Sequence, residues 1–154
     1  MVDFRQNGSA VVIFDLDGTL ADIKWRRHFV EGEKPDWRAF FDAMGDDQVN
    51  QPVATLYRTL WQSRQFQMYI VSGRPEMYKR LTELWLTLNN IEFHRLYMRP
   101  DGEQRPDDQV KEEMLRNIQN EGRTILFTVD DRASIVAMWR RNNVTCLQVA
   151  DGDF

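Results

Sequence analysis

Thiols and imidazoles are nearly missing from this chain of 154 residues: Cys146 is the only cysteine, and His28 and His94 are the only histidines. A single cysteine excludes an internal disulfide framework and fits a reducing compartment. No apolar run approaches the ~18–20 residues of a membrane-spanning helix. The first ten residues are polar, and the apolar stretch behind them is interrupted at Asp15, so no secretory leader is expected and the cytoplasm is the expected location. Repeats, low-complexity tracts and proline-rich linkers are absent, and so is the Gly-x-x-x-x-Gly-Lys-[Ser/Thr] phosphate loop of nucleotide kinases. What remains is an ordinary soluble composition, 42% hydrophobic and 29% charged, of a length that predicts one domain over residues 1–154. The net charge of −4 argues mildly against a nucleic-acid partner. It is unevenly spread, with basic groups at Lys24, Arg26, Arg27 and His28, at Arg95, Arg99 and Arg105, and at Arg140 and Arg141. The field at a cleft counts for more than the sum.

The densest signal is Val11–Leu20, Val-Val-Ile-Phe-Asp-Leu-Asp-Gly-Thr-Leu. An apolar run ends in two carboxylates spaced i, i+2. On a strand that spacing sends Asp15 and Asp17 to one side, where the strand gives way to a loop. Ligands of α/β sheets bind at that carboxyl end. Two acids there, followed by Gly18 and Thr19, suit a Mg²⁺-assisted attack on a phosphate, one carboxylate as nucleophile and the other as acid/base. A buried strand with a plain Asp-Gly turn is the competing explanation.

Short apolar runs at Ala10–Phe14, Gln67–Val71, Phe93–Met98, Thr124–Val129 and Val144–Val149 predict strands. Helical patterns fill Pro52–Arg64, Pro75–Asn89, Pro106–Asn120 and Arg132–Asn142, with the prolines at first-turn positions. The alternation predicts an α/β fold, a Rossmann-like parallel sheet with helices on both faces. Residues 21–51 are too long for a tight connection and carry Trp25, Phe29, Trp37, Phe40 and Phe41. They predict a minimal cap or flap after the first strand, with a short helix near Trp37–Met44.

Further chemistry sits at other strand ends. Ser72 and the Gly73 N–H can donate to a phosphoryl oxygen, and Arg74 can clamp it bidentately. Lys111 alone is weak evidence, since lysine is a surface residue by default. Asp130 and Asp131 repeat the paired-carboxylate pattern, and an acid from this pair with Asp15 would hold Mg²⁺ through oxygen ligands. One of the two acids can instead cap the following helix.

These elements, in this order, resemble the haloacid dehalogenase superfamily of aspartate-nucleophile phosphotransferases. The resemblance narrows to the 3′-phosphatase domain of phage T4-type polynucleotide kinase–phosphatases at Ser72-Gly73-Arg74, at Arg105–Glu113, at Asp130-Asp131-Arg132 with Met138-Trp139-Arg140, and at the ending Gln148–Phe154. It implies Asp15 as nucleophile and Asp17 as the group that protonates the leaving 3′-oxygen and then deprotonates water. Arg26 and Arg74 would bind the scissile phosphate, Ser72 would supply the second-motif hydroxyl, and Lys111 would neutralise the nucleophile and phosphate with Asp107 in support. Asp131, beside Asp130, would bind Mg²⁺, with Asp17 lending its backbone carbonyl. The implied substrates are 3′-phosphorylated ends of DNA or RNA, or nucleotide 3′-phosphates. Without a kinase loop in the chain, any kinase or ligase partner in end healing is expected on another polypeptide.

Trp25 is the candidate for stacking a terminal base, with Trp37 as a second flap aromatic; packing within the flap is the alternative for both. His28, which could touch phosphate beside Arg26, reads as a solvent-exposed loop residue; His94 reads as structural, Cys146 as a small buried hydrophobe, and Trp61, Trp85 and Trp139 as core. Helix faces rich in Trp and Met suit either a core or a homo-oligomer interface. Two rival functions stand beside the polynucleotide phosphatase: a small-molecule or nucleotide phosphomonoesterase, and a non-catalytic scaffold of the same fold. The intact set Asp15, Asp17, Lys111 and Asp131 speaks against the scaffold.

Overall fold

The computed structural model describes residues 10–152. Its strands are β1 (Ala10–Phe14), β2 (Ala21–Asp22), β3 (Gln48–Val49), β4 (Gln67–Pro75), β5 (Arg95–Arg99), β6 (Thr124–Asp130) and β7 (Cys146–Gln148). Its α-helices are α1 (Trp37–Asp42), α2 (Gln51–Ser63), α3 (Lys79–Leu88), α4 (Asp107–Asn120) and α5 (Ala133–Arg141). Five strands form one parallel sheet in the order β5-β4-β1-β6-β7. Every residue of β1 is buried, as a central strand covered on both faces requires. The two-residue period divides it between two cores. Val12 and Phe14 join α2 and α3 through Tyr57, Trp85 and Leu86. Val11 and Ile13 join α4 and α5 through Leu115, Ile118, Ile135 and Trp139.

The chain leaves β1 toward β4 and β5, then crosses back to β6 and β7 on the other side. That reversal at β1 opens a crevice at the carboxyl edge, the ordinary place for a ligand in an open α/β sheet. The expected α/β architecture is therefore present, with changes at element ends. β4 continues through Pro75, which pairs with Arg99, and a 3-10 turn at Glu76–Tyr78 precedes α3. Pro75 has φ −61° and ψ 147°; its ring fixes φ, which serves an extended end as well as a helix start. β5 starts at Arg95 because His94 already closes the edge there: its N–H donates to the Met68 carbonyl, and its Nδ1 accepts the Met68 N–H, both at 2.9 Å.

The excursion over residues 21–51 is tied at its base by antiparallel β2 and β3, pairing Ala21 with Val49 and Asp22 with Gln48. Asn50 fastens it further, its backbone N–H to the Leu20 carbonyl and its side-chain amide to the Thr19 carbonyl. Within it lie a 3-10 turn at Lys24–Phe29, then α1, then a second 3-10 turn at Ala43–Asp46. Phe40 and Met44 anchor this flap in the interior.

Candidate active site

β1 ends at Phe14, so Asp15 is the first residue past it, and its N–H still donates to the Val129 carbonyl of β6 at 3.0 Å. The same edge of β6 delivers Asp130 and Asp131, and α4 delivers Lys111 from its second turn. Lys111 Nζ lies 2.8 Å from Asp15 Oδ1 and 3.2 Å from Asp130 Oδ2, with all three side chains buried. Burial opposes the charge of Lys111, but Asp130 and Asp15 outweigh it and hold the ammonium protonated. One cation does not balance three acids. Asp15 is pushed well above the ordinary carboxylate range by burial, with Asp130 and Asp131 adding to the shift against Lys111. Asp131 is raised to about 6 by burial and by its neighbour Asp130.

The two acids after β6 differ in use. Asp130 is saturated: Oδ1 accepts the N–H groups of Asp131 and Arg132, and Oδ2 accepts Lys111 Nζ and Trp139 Nε1. It caps the turn into α5 and seats the lysine. Asp131 has the Thr19 hydroxyl 3.3 Å from Oδ1, and that hydroxyl also reaches Asp15 Oδ2 at 3.2 Å. Gly18 makes the approach of Asp131 possible. Its φ is +84°, and a Cβ there would stand 2.1 Å from Asp131 Oδ2. Oxygen atoms of Asp15, Asp130 and Asp131 lie within 4.8 Å of one another. An all-oxygen, buried, charge-crowded set fits a hard divalent cation such as Mg²⁺. With Asp130 committed elsewhere, Asp15 and Asp131 are the acids free to hold it.

Asp17 points the other way. Arg74 Nε and Nη2 donate to it at 3.0 and 2.6 Å, and Arg26 Nη2 donates at 2.7 Å. Burial would raise its pKa, yet Arg74 and Arg26 together bring it down to about 2. Behind the arginines lies Asp47 of the flap, fully buried. It accepts Arg26 Nε and Nη2, both at 2.7 Å, and Trp25 Nε1 at 3.0 Å. Arg74 Nη2 reaches it at 3.4 Å. Arg26 spends its remaining reach on the Phe40 carbonyl and lies 4.0 Å over the Phe40 ring.

A cavity of about 880 Å³ opens above the carboxylates. Asp15, Asp17 and Lys111 form its floor, Gly73 and Asp107 one side, and Ile23, Trp37 and Phe41 the flap side.

Residues 9–154 match the polynucleotide kinase PNKP phosphatase domain. The chain belongs to that family of phosphatase domains. A chain in a solved Pnkp1/Rnl/Hen1 complex is 31% identical, with a TM-score of 0.79 over 96% of this chain and 48% of its own length. A chain in a solved Pnkp1/Rnl/Hen1 RNA repair complex is 30% identical, with a TM-score of 0.80 over 99% of this chain and 46% of its own. The present sequence thus spans just under half the length of these relatives. A haloacid dehalogenase-like hydrolase from Streptococcus pneumoniae shares the fold at 16% identity, TM-score 0.61, over 92% of this chain and 85% of its own. As a PNKP-type phosphatase domain of the haloacid dehalogenase superfamily, the chain is a phosphomonoesterase.

Against that family frame, several expected residues take different positions. Arg26 and Arg74 are fully buried and do not line the cavity. The resemblance puts them on the scissile phosphate; in the structure their N–H groups face Asp17 and Asp47, because two facing carboxylates satisfy a buried guanidinium that has no water to turn to. Ser72 is buried within β4 with its Oγ accepting the Arg74 N–H at 3.2 Å, and Gly73, not Ser72, lines the cavity. A Cβ on Gly73 would meet Asp107 Oδ1 at 2.6 Å. Asp107 accepts Arg99 Nη2 at 3.0 Å and lies 3.9 Å from Arg132. The Asp17 carboxylate is outside the metal-fitting cluster, since the arginines occupy it. Trp25, expected to stack a base, is pinned to Asp47 and does not line the cavity, whereas Trp37 does. In the sequence nothing marks Asp47, since Gly45-Asp46-Asp47 looks like any acidic turn. His28 is exposed, and Cys146 is buried in the core with Val144 and Trp139. The last two residues of the C-terminal motif lie outside the described residues.

No helix among the described residues is long and apolar enough to cross a membrane.

Proposed function

We propose that this domain, spanning the whole chain with residues 21–51 as its flap, is a Mg²⁺-dependent polynucleotide 3′-phosphatase working through an aspartyl-phosphate. The observation that carries the reading is the division of one strand end. Asp15 faces the lysine and the metal-fitting acids, while Asp17, two residues on, faces two arginines. Two carboxylates in opposed environments are what a nucleophile and an acid/base need.

In the proposed cycle the Asp15 oxygen not held by Lys111 attacks phosphorus in line with the leaving 3′-oxygen. The new bond joins Asp15 to the phosphoryl group as the bond to the 3′-oxygen breaks, and Asp17 gives that oxygen a proton. Asp17 is ionised in the free site; the charge of an approaching phosphate raises its proton affinity and loads it for this step. Water then attacks the phosphoryl group, its proton passes to Asp17, and phosphate leaves with Asp15 restored. Lys111 offsets charge at Asp15 throughout, and Arg26 and Arg74 fix Asp17 in place with Asp47 behind them. Asp107 orients Arg99 and Arg132 at the cavity edge. When bound, Mg²⁺ would offset charge on the phosphoryl oxygens, held by Asp15 and Asp131 with the Asp17 backbone carbonyl.

The relatives in the Pnkp1/Rnl/Hen1 RNA repair complex support end healing of RNA or DNA as the setting, in the cytoplasm, with kinase and ligase steps supplied by other segments or other polypeptides. The test is phosphate release in Mg²⁺ from a 3′-phosphorylated oligonucleotide, the 5′-phosphorylated counterpart and a small aliphatic phosphomonoester. Release from the 3′ end alone supports the reading. Equal or faster turnover of the small ester moves the site to a general phosphomonoesterase.

A further inference from the structure

The cavity is far larger than one phosphate needs, and its two walls differ in a way that bears on how a substrate is held. The flap wall is aromatic. Trp37 stacks against Phe41, centroids 6.1 Å apart at 27°, and meets the Phe40 edge at 5.8 Å. Phe41 in turn packs on Tyr78, whose hydroxyl donates to Asp42 at 3.0 Å and ties the far side of the flap to the body. The indole is therefore backed by a braced aromatic group, yet it remains 50% exposed. Phe40 carries the same brace to Arg26 and so to Asp17.

The opposite wall holds arginines, but each is already matched by an acid. Arg99 and Arg132 share Asp107. Arg105 pairs with Glu103 at 2.6 Å and with Glu113 at 2.8 Å. On the flap, Arg27 pairs with Glu31 at 2.8 Å. A polyanion track needs cations in surplus, because its affinity comes from the counterions that they release. Charge at this mouth is close to balanced, so backbone phosphates upstream of the terminal one gain little here. A braced, half-exposed indole offers what the arginines do not, a flat face for a base.

We propose that the site holds its substrate by stacking the 3′-terminal base on Trp37, with upstream phosphates contributing little. The inference rests on the polynucleotide 3′-phosphatase reading above. A terminal nucleoside 3′-phosphate would put its base on Trp37 and its phosphate at Asp15, both of which line the one cavity, so one or two nucleotides suffice as substrate. The Trp37 face is tolerant of base identity, since every base presents a π-surface.

A kinetic cycle tests it. Wild-type protein and the Trp37→Ala variant are each assayed in Mg²⁺ on a 3′-phosphorylated hexanucleotide and on the same oligomer with an abasic terminal residue. Removing the base or the indole is expected to lower kcat/KM at least tenfold through KM, and removing both is expected to cost no more than either alone. Trp37→Phe should recover most of the loss. In wild type, a 3′-phosphorylated dinucleotide should match the hexanucleotide within a few fold, and KM should change little between low and moderate salt. Losses that multiply, an abasic end that reacts as well as the normal one, or a steep salt dependence would overturn the stacking proposal while leaving the 3′-phosphatase reading intact. If Trp37→Ala does not fold, the abasic and dinucleotide comparisons on wild type decide alone. No release from any 3′-phosphorylated oligomer would overturn both.

Discussion

Asp15 and Asp17 are two residues apart on one strand end, yet they sit in opposite electrostatic worlds. On the sheet side, Asp15 shares one lysine with Asp130 and stands beside Asp131. Negative charge is in excess there, and Asp15 and Asp131 are pushed up. On the flap side, Asp17 and Asp47 face Arg26 and Arg74, an even match of buried charge, and Asp17 is held down to about 2. The lesson is that carboxylate spacing places the pair, while the elements packed against each acid decide its chemistry. The sheet side carries an excess of buried negative charge. The flap side is complete as it stands.

Neutralising the proposed nucleophile should have the largest effect. Asp15→Asn should lower phosphate release from a 3′-phosphorylated oligonucleotide by about 10⁴-fold or more, as loss of a nucleophile does in other covalent catalysts. Circular dichroism should show the fold retained.

Next comes the flap side. Asp47→Ala leaves two buried guanidiniums with one carboxylate, and urea unfolding should register a loss of about 3–5 kcal/mol, with or without Mg²⁺. The Asp17 interaction also has a pH signature. Its folded pKa is depressed, so its stabilising contribution is complete above the ordinary carboxylate range and is lost as pH falls through about 2.

Asp131 predicts the reverse. Its folded pKa is raised to about 6, so ionising it disfavours the metal-free fold increasingly as pH rises from the ordinary carboxylate range to about 6, and by a constant amount above that. At pH 8 without Mg²⁺, Asp131→Asn should therefore stabilise the protein by about 1–3 kcal/mol, while abolishing the rise in Tm that Mg²⁺ gives. In the intact protein that rise should grow between pH 5 and 7, because protons and the cation compete for Asp131 and Asp15. A Mg²⁺ response independent of pH would separate the cation from these acids.

Trp25 gives the smallest expected effect. Trp25→Phe removes one donor from Asp47, which keeps its arginine partners, and should cost about 0.5–1.5 kcal/mol in urea unfolding.

Much of this architecture is legible in the residues. The first strand is visible because five consecutive apolar residues, Ala10–Phe14, end at a carboxylate, and the site falls at the sheet edge where α/β topology puts it. Element ends were harder. Pro75 continues a strand where its fixed φ suits a helix start equally well, and His94 closes a strand edge with its ring. Two-residue strands such as β2 and β3 have no periodicity to read. Asp47 was invisible for a deeper reason. Its role depends on Arg26, twenty-one residues before it, and on Arg74, twenty-seven after it, and no local pattern marks an acid that long-range packing will bury. The aim of a guanidinium is likewise tertiary: the sequence contains Arg26 and Arg74 but not the direction in which they point.

The central claim is that Asp15, and not its neighbour, carries the phosphoryl group. Rapid acid quench during the first turnover of a 3′-³²P-labelled oligonucleotide tests it most directly. Base-labile label is expected on the peptide that contains Asp15, and neither label nor turnover in the Asp15→Asn protein. Label on another residue, or turnover by that variant, would contradict it.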